Sequence, residues 1–169
     1  ERVLKVAGDN LGPFLLEAVL DHTYFQELLN RTDGLPREEK DIVRPMVCQE
    51  VDIFHLMLVV RGKFHYRMTT DMLMPLHVAG TMISRGLFVS MLSDLDLDTS
   101  VGRVEERVID GVPFQQGSCD GSSAVDALTL EGLAWRRFLR LSNVAFRKGH
   151  IGLGAIAGYV GLRRVEVAN

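Results

Sequence analysis

The sequence lacks most of the residue patterns that mark a catalytic, metal-binding or nucleic-acid-binding protein. Its 169 residues include only two cysteines, Cys48 and Cys119, which excludes a disulfide framework and a CxxC metal motif. The net charge of −3 gives no electrostatic reason to expect a nucleic acid as partner. The longest apolar stretch, residues 151–162, is shorter than the roughly 20 residues that a membrane-spanning helix needs. The class that these exclusions leave is a packed globular protein, and a hydrophobic content of 47% supports it.

The histidines do not have the spacing of a helical metal site. No two of them are four residues apart, the spacing that would place both ligands on one helical face. No phosphate-binding motif of the GxxxxGK[ST] type is present either. We therefore predict no metal, no cofactor and no catalytic residues. The histidines are His22, His55, His65, His77 and His150.

Residues 120–124, Asp-Gly-Ser-Ser-Ala, form the stretch that most resembles a catalytic motif. The run is similar to the Asp-Gly-Pro-Ser-Ala of Lon-type Ser–Lys proteases, in which a neutral lysine activates the serine. Ser122 stands at the proline position, and Lys148 lies at a charged helix end that favours an ordinary, protonated lysine. A loop that caps the next helix explains the same residues. A hydrolase using Ser123 and Lys148 remains the alternative function.

Apolar residues recur at helical spacing along most of the chain, and no segment has a strand or hairpin pattern. Pro13 and Pro36 each fit the first turn of a helix, where the missing N–H costs nothing. The second helix carries apolar residues over so wide a surface that we expect burial on more than one side. Gly154 and Gly158, one turn apart in the last helix, predict the close approach of a neighbouring helix. The fold class that follows is all-α.

Two segments near the start of the chain recur near its end. LDHTYFQELL at residues 20–29 aligns with LEGLAWRRFL at 130–139, and VDIFH at 51–55 aligns with VEVAN at 165–169. Such a repeat predicts a scaffold of repeated helix pairs or three-helix units. We expect a first helical unit at 1–68, connecting short helices and a loop at 69–123, and a second, truncated unit at 124–169. The chain starts without methionine and stops inside the last helix, so we expect it to be part of a longer polypeptide.

Charged and polar side chains inside the apolar helices are the candidate functional residues. An ionised group in such surroundings must pair or face a wet groove, because burying it alone is costly. Two interpretations stay open: ion pairs between the repeats, or a polar-lined interface for a partner. We expect Glu50 and Glu166 at equivalent places in the two units, each near an arginine or lysine. The candidates are Glu50, Asp52, Arg61, Arg163, Glu166 and Asn169.

These charged helices resemble a known family. QEVDIFHL at residues 49–56, followed by Arg-Gly-Lys at 61–63, resembles a central helix of the C-type subunit of archaeal and bacterial A/V-type rotary ATPases. The eukaryotic counterpart is the d-type subunit of V-type ATPases. YVGLRRVEVAN at 159–169 resembles another such helix, and residues 24–29 resemble the entry helix of the preceding unit. His55 stands where the family more often has asparagine, and residues 98–123 match nothing in it.

The resemblance implies a funnel-like, all-helical scaffold without nucleotide, metal or active site of its own. In the family such a protein is a non-catalytic central-stalk subunit of a rotary ATPase. It links the rotating shaft to the membrane ring that translocates ions. The implied partners are shaft and ring subunits, and the implied location is peripheral, on the cytoplasmic side of the membrane. An unrelated helical adaptor built from the same repeat is a further alternative.

Overall fold

The computed structural model describes residues 12–109, 127–148 and 152–168, and every regular element within them is helical. The all-α prediction is therefore confirmed. We number the helices in chain order. They are α1 (Pro13–Asp33), α2 (Arg37–Met57, continued by a π-helix, Leu58–His65), α3 (Thr70–Leu73, then a 3₁₀ turn, Met74–Leu76), α4 (Arg85–Ser93), α5 (Leu97–Gly102), α6 (Glu105–Val108), α7 (Ala127–Lys148) and α8 (Leu153–Ala168). Among the described helices, none combines the length and the hydropathy that a transmembrane span requires.

Helices α1 and α2 form a hairpin, because only residues 34–36 separate them. Pro13 occupies the first turn of α1, and the N–H of Gly34 bonds back to Arg31 at its end. The buried face of α1 packs on α2, and the rings of Phe25 and Phe54 lie 5.3 Å apart. Aromatic contact of this kind fixes the spacing of the two helices. The hairpin is the first structural unit of the chain.

Helix α2 lies at the centre of the fold. Every residue from 46 to 56 is buried, so the prediction of burial on more than one side is confirmed. Its neighbours are α1, α7 and α8, together with an irregular segment that we call the strap, residues 77–84. The helix runs on beyond Met57 as a π-helix, and Gly62 lets this part approach Leu73 closely. A helix enclosed on all sides must accommodate whatever polar groups it carries inside the protein.

Helices α7 and α8 form a second hairpin whose close contact depends on glycine. A Cβ added to Gly158 would lie 2.5 Å from the backbone nitrogen of Phe146 on α7. One added to Gly154 would lie 3.0 Å from Ile42 Cγ2 on α2. The prediction that these glycines allow a close helical approach is confirmed, with α7 next to Gly158 and α2 next to Gly154. Helix α8 therefore packs closely on both α7 and α2.

A helical hairpin stands at each end of the described chain, and short helices lie between them. Helix α2 also packs directly on α7 and α8, so the two hairpins are in contact. The two hairpins as superposable repeats, the three-unit division and the funnel-like shape stay predictions. Residues 110–126, which contain Ser122 and Ser123, lie outside the described residues.

Candidate interaction surface

The charged residues of α2 point in two directions. Glu50 and Arg61 line a cleft between α1, α2, α7 and α8, whereas Asp52 faces the strap. Helical geometry explains the split, because residues two positions apart lie on nearly opposite faces. We call the first region the α1 cleft. It has a volume of about 220 Å³ and is lined by Phe14, Glu17, Asp21, Tyr24, Phe25, Glu50, Phe54, Arg61, Glu131, Trp135 and Arg164, among others.

Glu50 is almost fully buried and pairs with Arg164. Its Oε1 contacts Nη1 of Arg164, whose side chain is 48% exposed and extends over the ring of Trp135. Burial raises the pKa of Glu50, and the nearby guanidinium opposes that rise. The pair joins α2 to α8. A buried carboxylate with such a partner stays ionised more easily than one left alone.

A second ion pair crosses the α1 cleft. Arg61 Nη2 donates to Glu131 Oε2 at 2.5 Å, and both side chains are partly exposed. This pair joins the π-helix after α2 to α7. Because water reaches both groups, the contribution of this ion pair to stability is small. Two of the candidate charges, Glu50 and Arg61, thus form ion pairs between the chain's early and late helices.

Asp52 holds the strap through its backbone. The N–H groups of Met82 and Ile83 donate to its two carboxylate oxygens at 3.1 and 2.9 Å. The carboxylate is fully buried, and these bonds satisfy backbone donors that no helix or sheet supplies with partners. Arg44 donates from Nη2 to the carbonyl of Gly80, two residues before Met82 in the strap, at 3.1 Å. Asp52 is therefore a structural anchor in this fold.

Two histidines, His22 and His55, lie against His77, the first residue of the strap. His55 is fully buried, and its Nε2 accepts the N–H of Val78 at 2.9 Å. Its ring stacks on that of His77 at 4.8 Å between centroids. Burial lowers the pKa of His55 and of His22, although Asp52 opposes the effect at His55. The neutral imidazole fits this site, because a proton on Nε2 would oppose the N–H of Val78.

The histidines do not form a metal centre. Within residues 12–109, 127–148 and 152–168, no three side chains of histidine, cysteine, aspartate or glutamate are placed to share a metal ion. His55 uses Nε2 for the strap, and His77 Nε2 donates to the carbonyl of Ile83 at 2.9 Å. Both of these ring nitrogens are therefore occupied by hydrogen bonds to the backbone. The group serves to attach the strap to α2.

The remaining candidates have different places. Arg163 is exposed on α8 and engaged in an interaction of its own. The backbone of Glu166 belongs to α8, but its side chain and the whole of Asn169 lie outside the described residues. Lys148 is exposed at the end of α7.

Sequence reasoning missed several residues of the α1 cleft. Arg164, and not its neighbour Arg163, pairs with Glu50. Glu131 is the partner of Arg61, and Glu17 and Asp21 face the same cleft from α1. The spacing of Glu17 and Asp21 could have indicated them as candidate functional residues, because like charges four residues apart repel each other on a helix and destabilise it.

Comparison with known proteins gives one match. The family model described as ATP synthase (C/AC39) subunit matches residues 1–169. Neither a curated protein nor a solved structure was found to match the chain. The matched range contains both helical hairpins, the strap and the α1 cleft.

Proposed function

Because the chain belongs to the ATP synthase (C/AC39) subunit family, we propose that it links the rotating shaft of a V/A-type ATPase to the ion-translocating membrane ring. The family is a non-catalytic subunit of the rotary enzyme, which argues against the alternative Ser–Lys hydrolase. The match over residues 1–169 is the observation that carries the proposal. The proposed location is peripheral, on the cytoplasmic side, through contacts with the other ATPase subunits.

Coupling by rotation requires a body that does not deform under torque. Helix α2 supports this role, since it is enclosed by α1, α7, α8 and the strap. The pair of Glu50 with Arg164 and the glycine contacts of α8 connect helices that are distant in the sequence. Close-packed interiors have low compressibility and transmit strain. A scaffold of this kind suits the transfer of torque between two broad surfaces.

Reconstitution of the rotary ATPase tests the proposal. ATP hydrolysis and ion transport are measured in vesicles that contain the complex without this subunit, and again after the full-length subunit is added. We expect hydrolysis to drive transport only when the subunit is present. The isolated catalytic head, assayed for hydrolysis with and without the subunit, is the control and should not respond. Full coupling in the complex that lacks the subunit would overturn the proposal.

A further inference from the structure

The α1 cleft has more negative charge than its own arginines neutralise. Among the described residues, its lining contains the carboxylates of Glu17, Asp21, Glu50 and Glu131 but only two arginines. Both arginines already pair, Arg61 with Glu131 and Arg164 with Glu50. Glu17 and Asp21 have no ion pair within the described part of the chain. Two uncompensated carboxylates therefore face the cleft from α1.

The position of these carboxylates is unfavourable for the isolated protein. They lie one turn apart on α1, where like charges repel. Burial and the charge of Glu17 both raise the pKa of Asp21, and Arg164 opposes the rise only in part. A cation placed between the two side chains would remove the repulsion. Groups that cost stability in this way are typical of binding surfaces, where a partner supplies the missing charge.

An apolar stripe runs beside these carboxylates on the same helix. Leu16, Leu20 and Tyr24 follow one another at four-residue spacing and are 47%, 63% and 50% exposed. This spacing presents three large side chains along one face of α1. The ring of Tyr24 also lines the cleft. An apolar stripe beside an acidic one complements an amphipathic helix that carries basic residues next to its own apolar face.

We propose that the α1 cleft binds a basic amphipathic helix of another ATPase subunit. A lysine or arginine of that helix enters the cleft between Glu17 and Asp21 and lies against the ring of Tyr24, where a cation also gains from the aromatic face. Apolar residues of the same helix cover Leu16 and Leu20. The identity of the partner as an ATPase subunit rests on the proposed function. The chemistry of the contact rests on the cleft itself.

Removal of the two charges tests the proposal. The ATPase complex without this subunit is titrated with wild-type subunit and with the double variant Glu17→Gln/Asp21→Asn, and the concentration that restores half of the coupled transport is measured. We expect this concentration to rise about tenfold in the double variant. Its dependence on salt should also be weaker, because the charged contact has been lost. Leu20→Ala should raise the concentration as well, without changing the salt dependence.

Two controls separate a binding role from a structural one. Glu27→Gln removes one carboxylate charge from α1, half of the change in the double variant, at an exposed residue that pairs with Arg31 outside the cleft, and it should restore transport at the wild-type concentration. Urea unfolding of the double variant should give a midpoint equal to or above that of wild type, because the change removes a repulsion. A wild-type restoring concentration for the double variant, or a urea midpoint that falls with its loss of assembly, would overturn the inference.

The outcomes also keep the two proposals apart. If the wild-type subunit does not restore coupling, the proposed function fails. If it does restore coupling and the double variant is equally effective, only the α1 cleft inference fails. Binding of Ca²⁺ to the isolated wild-type chain, lost in the double variant, would assign the carboxylates to a metal ion and overturn the helix proposal.

Discussion

The contact between α7 and α8 leads to the most direct prediction on stability. Gly158→Ala places a methyl group against the backbone of α7, 2.5 Å from the nitrogen of Phe146 and 2.8 Å from the carbonyl oxygen of Ser142. Neither neighbour is a flexible side chain that could turn away. The two helices must move apart by about 1 Å to restore an ordinary contact of roughly 3.5 Å. We therefore expect Gly158→Ala to weaken the second hairpin.

Two opposing effects set the magnitude. Alanine favours a helix over glycine by about 1 kcal/mol, whereas overpacking of a close contact costs about 1–3 kcal/mol and sometimes more. Separation of the helices also loosens the contact of Gly154 with Ile42. We expect Gly158→Ala to lower the free energy of unfolding by up to about 2 kcal/mol in total. For a chain of this size that corresponds to a fall in melting temperature of up to roughly 8 °C.

Gly132→Ala is the matched control, because Gly132 is an exposed glycine on α7 whose added Cβ would meet nothing within 4 Å. It should raise the free energy of unfolding by up to about 1 kcal/mol. Urea unfolding of both variants and wild type, followed by circular dichroism, gives the midpoints, and equal slopes identify a change in stability alone. Gly158→Ala with a midpoint at or above that of Gly132→Ala would refute the close approach of α8 to α7.

Three further predictions concern the buried polar groups of α2. Asp52→Asn should lower the free energy of unfolding by about 1–3 kcal/mol, because one of the two carboxylate oxygens becomes an NH2 group that cannot accept the strap N–H facing it. Amide hydrogen exchange at residues 82 and 83 should quicken, while Asp41→Asn leaves it unchanged. His55 has a lowered folded pKa, so its contribution to stability is complete above the unfolded value of about 6.5 and is lost as the pH falls below it. The free energy of unfolding, measured in urea between pH 7.5 and 5, should therefore fall less steeply with pH in His55→Gln than in wild type. An unchanged pH dependence would exclude His55 as its source. Arg164→Met leaves Glu50 buried without its cation and should lower the free energy of unfolding by about 1–3 kcal/mol at pH 7. Because the folded pKa of Glu50 then rises further above about 4.3, this loss of stability should shrink as the pH falls towards that value. A loss that does not depend on pH would contradict the pairing.

The helices themselves were predictable from the sequence. Pro13 and Pro36, the apolar periodicity between them and the wide apolar surface of residues 42–60 indicate two helices and a buried second one. Gly154 and Gly158 predicted a close helical contact that the structure contains. These features are local, since periodicity and small residues at turn spacing act over only a few residues of chain. The resemblance of residues 49–63 and 159–169 to the rotary ATPase family also came from such stretches.

The partners of the charged residues were decided by the tertiary structure. The sequence indicated that Glu50, Asp52 and Arg61 are unusual in an apolar helix. It did not indicate that Asp52 would bind the strap or that Arg61 would pair with Glu131. Neighbouring arginines on α8 look equivalent in the sequence, and the rotation of that helix selects Arg164 for Glu50. An ion pair or a side-chain anchor joins residues that lie far apart in the chain. The residues that meet in such a contact are determined by the crossing angles and rotations of the helices, and no local sequence pattern specifies these.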